Sequence, residues 1–157
     1  MTVPPLHPEL AHLGFVVGTW QGEGVGVYPT IDAFGYRDEI RLTHVGKPVL
    51  AYAERTWAVD DGSPLHSESG FWRPAPAGIE MVLAHPFGVV EVSEGEVRGT
   101  TLTVRSKALI ATSTGAEIAA TERRMKFDGD VLRYEIDMAA SGRRLQRHLS
   151  AELHRIE

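Results

Sequence analysis

Turn-forming clusters recur roughly every eight to twelve residues, and the runs between them are short and rich in β-branched and aromatic types. Residues 49–59, VLAYAERTWAV, end at Asp60-Asp61-Gly62-Ser63-Pro64, and residues 65–73 return before the turn Pro74 to Gly78. Residues 79–84 place Ile79, Met81 and Leu83 on one face, and His85-Pro86-Phe87-Gly88 turns the chain again. VVEVSEG runs to Gly95, and residues 96–99 and 101–105 carry Val97, Leu102 and Val104 around Gly99. A further strand follows Gly115, and Phe127-Asp128-Gly129-Asp130 holds the Asp-Gly pair of a tight hairpin. Beyond it Leu132, Tyr134, Ile136 and Met138 alternate with Arg133, Glu135 and Asp137, the clearest period of two in the chain. Nine or ten such strands on short links predict an antiparallel up-and-down meander. Closing it into a β-barrel removes the exposed edges. The only helix signal is a short N-terminal plug from Pro8 to Leu13, with Leu6, Leu10 and Leu13 on one side.

A chain of 157 residues is long enough to bury about two-thirds of its unfolded surface. Without repeat, low-complexity tract or linker, residues 1–157 read as one domain. The formal charge of −5 argues against a nucleic-acid partner, and the cluster Arg143, Arg144 and Arg147 reads as a solvated rim or as contacts for a small anion. The absence of cysteine excludes disulfides, thiolate catalysis, iron–sulfur clusters and covalent C-x-x-C-H haem attachment. The N-terminal stretch lacks the basic start and apolar run of a signal peptide, and no apolar run is long enough to span a bilayer. The expectation is a cytoplasmic protein with no membrane partner. Its oligomeric state is open, a homodimer included.

Two segments resist a simple assignment. In GTWQGEGVGVYPT, residues 18–30, Gly22, Gly24 and Gly26 fall on one face of a strand. No βαβ context or GK[ST] accompanies them, so a nucleotide loop is excluded. Missing side chains let another backbone, a packed ring or a planar ligand come close. The closing segment RRLQRHLSAELHRIE reads either way: period two groups Leu145, Leu149, Ala151 and Leu153, and helical spacing groups Leu145, His148, Leu149, Leu153 and Ile156. The need to close a barrel favours a strand, with His148 on its polar face.

Residues that could carry chemistry are few. Of seven histidines, those at 7, 12 and 85 sit in the plug and a turn, where solvated or hydrogen-bonded roles are ordinary. His66 and Glu68, two apart on a strand, point the same way and form half of a metal site, but the cupin spacing that would complete it is missing. No G-x-S-x-G elbow marks a nucleophilic serine, and no carboxylate pair is set apart from solvated turns. His148 and His154 lie about 20 Å apart along one strand, too far to share a metal atom.

The segment Gly18-Thr19-Trp20-Gln21-Gly22-Glu23-Gly24 fits the G-x-W-x-G-x-G signature of the nitrobindins, and Tyr28-Pro29-Thr30-Ile31 continues it. Phe34, Tyr36, Glu39, His44-Val45-Gly46-Lys47-Pro48, Pro64-Leu65-His66-Ser67-Glu68-Ser69-Gly70, Gly88-Val89-Val90-Glu91 and His148-Leu149 extend the likeness over essentially the whole chain. The chain resembles the single-domain mycobacterial-type members. The resemblance implies a ten-stranded antiparallel barrel, similar in outline to fatty-acid-binding proteins, with one non-covalent haem b per subunit at one end. It implies His148, rather than His154, as the axial iron ligand, Thr30 as a haem contact, and His66 toward the distal side. The glycine-rich strand would then wall the haem, leaving room for a porphyrin edge.

The same resemblance implies ferric haem that binds nitric oxide reversibly and isomerises peroxynitrite to nitrate. The protein would supply an axial ligand, an apolar cage and restricted access, with no obligatory acid or base and no catalytic residue beyond the iron. The competing expectations are a haem-free carrier of fatty acids or other small apolar molecules, and a peptide-binding or structural barrel. The closing histidine separates the first reading from the second.

Overall fold

The computed structural model describes residues 2–76 and 78–157. Ten antiparallel strands form one closed barrel: β1 (Gly18–Tyr28), β2 (Ile31–Thr43), β3 (Leu50–Ala58), β4 (Pro64–Ala75), β5 (Gly78–His85), β6 (Val89–Arg98), β7 (Thr101–Ala111), β8 (Ile118–Asp128), β9 (Val131–Ala140) and β10 (Gln146–Arg155). Each strand pairs with its sequence neighbour, and β10 closes on β1 from Trp20↔Arg155 to Gly26↔Leu149. The closing segment is therefore a strand: closure satisfies the backbone groups of β1 and β10, which a helix would leave unpaired. Residues 89–98 form one strand through Gly95, and the turn lies at Gly99, where φ is 59°. The turn expected between Pro74 and Gly78 falls partly on Ala77, outside the described residues.

The links sort the barrel into two ends. The turns after Tyr28, Ala58, His85, Ala111 and Ala140 gather at one end, and those after Thr43, Ala75, Arg98 and Asp128 at the other. The second end is closed. A 3₁₀ helix, Pro8–Val16, begins with its proline in the first turn and buries Leu10, Leu13 and Val16 at its three-residue period. Against it lies Trp20, fully buried, its indole donating to the Val16 carbonyl at 2.9 Å and its ring edge-on to Phe127 at 5.1 Å. Arg155 lies over the Trp20 ring at 4.2 Å and donates to the Phe15 and Val17 carbonyls, fastening the plug to β10. Leu42, Leu50, Trp72, Ile79, Met81, Leu102, Leu132 and Leu153 pack the rest of this core. Each such side chain contributes about 1.5–3 kcal/mol by leaving water, so this end carries most of the apolar stabilisation.

The glycine stretch explains itself in this frame. Gly18 has φ 143°, a conformation open to glycine, and a β-carbon there would stand 2.5 Å from the Glu157 carbonyl. A β-carbon on Gly22 would overlap the β10 backbone, one on Gly24 the Tyr36 ring, and one on Gly26 the Phe34 ring. The space is thus filled by Phe34, Tyr36 and β10, which corrects the expectation of room for a porphyrin edge. The motif residues Gly18 and Trp20 serve the closed end of the barrel.

The ladder between β7 and β8 is short. It pairs Thr101–Arg105 with Glu122–Lys126, and toward the open end, among the described residues, only the Thr121 amide donating to the Ser106 hydroxyl at 3.0 Å bridges the two strands.

Candidate functional site

The open end holds a cavity of about 290 Å³. Apolar side chains dominate its walls, among them Phe34, Leu65, Phe87, Leu109, Ile136 and Met138, and His148 stands among them. Strict alternation would turn His148 outward, because Leu149, Ala151 and Leu153 face inward. The β10 register breaks at this residue: Arg147 pairs with Asp137 and Leu149 with Ile136, leaving His148 as one extra residue. Such a bulge re-aims a side chain, and here it brings His148 and Leu149 to the same cavity.

The His148 ring is held on two sides. Its Nδ1 lies 3.0 Å from the Val27 carbonyl, which accepts only, so in the neutral ring the tautomer favoured carries its proton on Nδ1 and its lone pair on Nε2. Tyr28 packs edge-on against the ring at 5.5 Å. The Tyr28 hydroxyl accepts from the Ala140 amide at 2.8 Å and donates to the Met138 carbonyl at 3.1 Å, which fixes it to β9. A neutral imidazole with one nitrogen tied to a carbonyl and the other free is the arrangement of a metal-ligating histidine. With apolar walls on an open cavity, these residues fit a haem.

Across the barrel stand β4 and β5. His66, His85 and Phe87 stack with ring centroids 5.0–5.6 Å apart. Below them lies a buried charged floor. Arg123 donates to Glu68 at 2.7 Å and to Glu91 at 2.9 Å, and Tyr52 donates to Glu68 at 2.8 Å. His85 Nε2 is 3.0 Å from Glu91, and His66 Nε2 is 3.2 Å from Glu68. Burial alone would raise the Glu68 carboxyl. The Arg123 guanidinium outweighs burial and, with His66 and His85, holds Glu68 well below the carboxylate range. Glu91 is likewise lowered against its burial by Arg123 and His85.

A second pair of acids behaves oppositely. Burial, reinforced by the charges of Asp38 and Glu68, pushes the Glu54 carboxyl well up. Burial also raises Asp38, to about 6, against the hydrogen bond it accepts from Tyr134 at 2.5 Å. A group whose folded value lies above its ordinary 3.8 binds protons more tightly in the folded chain, so stability falls as pH rises from about 4 through 6. Asp38→Asn should therefore stabilise the protein at pH 8 by on the order of 2 kcal/mol and have little effect at pH 4. Thermal melts of both chains at the two pH values check this, and an equal shift at both would refute it.

Several expected residues lie elsewhere. Thr30 is exposed in the β1–β2 turn that follows Tyr28 and does not line the cavity. His154 is exposed beside Glu152, His7 caps the plug by accepting from the Glu9 amide, and His44 accepts from the Gly46 amide. His85, expected as a bland turn residue, ends β5 with its side chain buried in the cavity wall. Sequence reasoning also missed Arg123, Glu91, Glu54 and Asp38. The available signal was parity: Arg123 is in phase with inward Met125 and Phe127, and Glu91 with Val89 and Ser93.

Comparison with known proteins agrees with this geometry. Residues 9–155 match the family described as THAP4-like, heme-binding beta-barrel domain. A Mycobacterium avium protein named peroxynitrite isomerase 2 is 47% identical over 96% of each chain. An Arabidopsis thaliana protein named peroxynitrite isomerase Rv2717c is 39% identical over 98% of this chain and 92% of its own. The crystal structure of Rv2717c from M. tuberculosis superposes with a TM-score of 0.88 at 42% identity, covering 98% of this chain and all of that one. By barrel and by sequence, this chain belongs to the THAP4-like heme-binding β-barrel family, the nitrobindins.

Proposed function

We propose that this chain binds one haem b through His148, isomerises peroxynitrite to nitrate at it, and binds nitric oxide reversibly at the same place. The observation that carries the reading is the bulge that turns His148 into an apolar cavity while Val27 holds its Nδ1 proton. Relatives that share nearly the whole chain and are named peroxynitrite isomerases support the reaction.

A bound ferric haem would supply a Lewis-acid iron. The chain's own residues supply the rest. His148 offers Nε2, and Val27 fixes the tautomer and raises the basicity of that nitrogen. Tyr28 keeps the ring from rotating. The apolar walls, Phe34, Leu65, Ile136 and Met138 among them, exclude water from the reacting anion. His66 occupies the opposite wall, its ring stacked on His85 and Phe87. Thr30, exposed in the β1–β2 turn at the same end of the barrel, would meet a bound haem only from outside the cavity.

The floor disfavours a fatty-acid carrier. Arg123 is the only Arg or Lys among the cavity-lining residues, and Glu68 and Glu91 already occupy it, so no unpaired cation awaits a carboxylate tail.

The test is a haemin titration of the full chain followed by stopped-flow mixing with peroxynitrite. A saturable Soret band at one haem per chain, faster peroxynitrite decay and nitrate as the product are expected, with a Soret shift under nitric oxide that reverses on purging. A chain that takes up no haemin, or whose loaded form leaves decay at the haem-free rate, would overturn the proposal.

A further inference from the structure

His85 presents a problem that the haem site leaves unsolved. Its side chain is only 7% exposed, and each ring nitrogen faces a carboxylate: Nε2 is 3.0 Å from Glu91, and Nδ1 is 3.2 Å from Glu68 Oε2. A neutral imidazole has one proton, and the Glu91 contact has hydrogen-bond geometry. The Glu68 contact does not, which leaves Nδ1 buried without a hydrogen-bond partner. A nitrogen lone pair is therefore buried beside a carboxylate oxygen with nothing bound to either on that side. The same oxygen, Glu68 Oε2, lies 3.2 Å from His66 Nε2. One ligand atom from each of His66, Glu68 and His85 falls within 4.8 Å of the others.

We propose that His66, Glu68 and His85 bind one divalent first-row cation, of the Zn²⁺ or Co²⁺ type, on the cavity wall opposite His148. Two ligand atoms bound to such an ion at about 2.0–2.2 Å stand about 2.8–3.1 Å apart at a right angle and about 3.3–3.6 Å apart at the tetrahedral angle, so the 3.2 Å separations suit adjacent corners of its coordination shell. Two imidazoles and one carboxylate form a donor set that this class of metal favours, and three protein ligands leave positions open toward the cavity. The supports are also present. Glu91 accepts from His85 Nε2 and so leaves the Nδ1 lone pair for the metal, while Arg123 and Tyr52 anchor Glu68 at Oε1 at 2.7 and 2.8 Å; Oε2 takes a longer Arg123 contact at 3.4 Å and faces both histidines. Glu68 and Glu91 against Arg123 alone leave one negative charge for the cation to neutralise. His66 and Glu68 are the half-site visible in the sequence, and the fold supplies the missing ligand from β5, the neighbouring strand.

Cobalt(II) is the probe, because its visible bands report coordination directly. The full chain, without haem and then loaded with haemin, is titrated with Co²⁺, and Zn²⁺ binding is followed by calorimetry. One saturable equivalent is expected. His66→Ala and His85→Gln should each weaken it at least about 100-fold, and Glu91→Gln about 10-fold. Circular dichroism checks the fold of each variant, and the half-exposed His66 gives the safer substitution should His85→Gln unfold. His148→Gly should leave Co²⁺ binding unchanged. No saturable binding, affinity unchanged in His66→Ala, or loss of binding in His148→Gly would overturn the site. The proposal stands independently of the haem reading: a chain that binds Co²⁺ but no haemin keeps this site and loses the other.

Discussion

His148→Gly should abolish tight haemin binding, weakening it by at least about 100-fold, and millimolar imidazole should restore a Soret band close to that of the parent chain. The first part follows from removing the one imidazole that β10 brings to the cavity. Losing a group that merely supports a ligating histidine already costs 10–100-fold, so losing the ligand itself costs more. The second part separates ligation from packing. Glycine leaves a gap beside Tyr28 and the Val27 carbonyl, the two groups that orient the ring, so free imidazole finds a shaped place with an acceptor for its N–H. A variant that binds haemin as tightly as the parent would assign the iron to another residue. A variant that loses haemin and is not rescued would give His148 a structural role.

Arg123→Met should cost about 3–5 kcal/mol at pH 8, lowering the melting temperature by about 10 °C or more. The substitution keeps the length of the side chain and strands two buried carboxylates, Glu68 and Glu91, without their cation. The pH dependence is the more specific signature. In the parent both carboxyls titrate below their ordinary 4.5, so their pairing stabilises the fold above that pH and is lost as pH falls through the lowered values. Without Arg123, burial dominates and raises both groups, so the folded variant binds protons more tightly than its unfolded chain. Its stability then falls as pH rises above about 4.5, the reverse of the parent. Melts at pH 4.5 and pH 8 should show the gap between the two proteins narrowing on the acid side. A gap independent of pH would mean that Arg123 acts through packing alone.

The strands were legible because their links are turn clusters and their inward faces alternate. Leu132 and Tyr134 on β9 and Ile79, Met81 and Leu83 on β5 are buried as the period of two requires. The orientation of His148 was not legible, because a bulge adds one residue without any mark in composition. The family likeness pointed to His148 where alternation pointed away from it, and the register break reconciles them. The charged floor was missed for a different reason. Arg123 was not singled out and Glu91 entered only through the family likeness, because isolated charges avoid the interior, yet with Glu68 they form a hydrogen-bonded set whose members satisfy one another there. Pairing across β4, β6 and β8 comes from closure of the barrel, which lies beyond any local window of sequence.

The short β7–β8 ladder is the seam at which the barrel should open most easily. The other nine ladders must each break at least seven residue pairs to separate, and this one breaks five. Amides of residues 106–111 and 118–121 should therefore exchange with solvent deuterium well before those of β1 or β9, through local opening that leaves the plugged end intact. A ring-shaped wall with one weak stave can widen its mouth for a rigid disc and then close again, and here that stave lies two strands round the barrel from the one that carries His148.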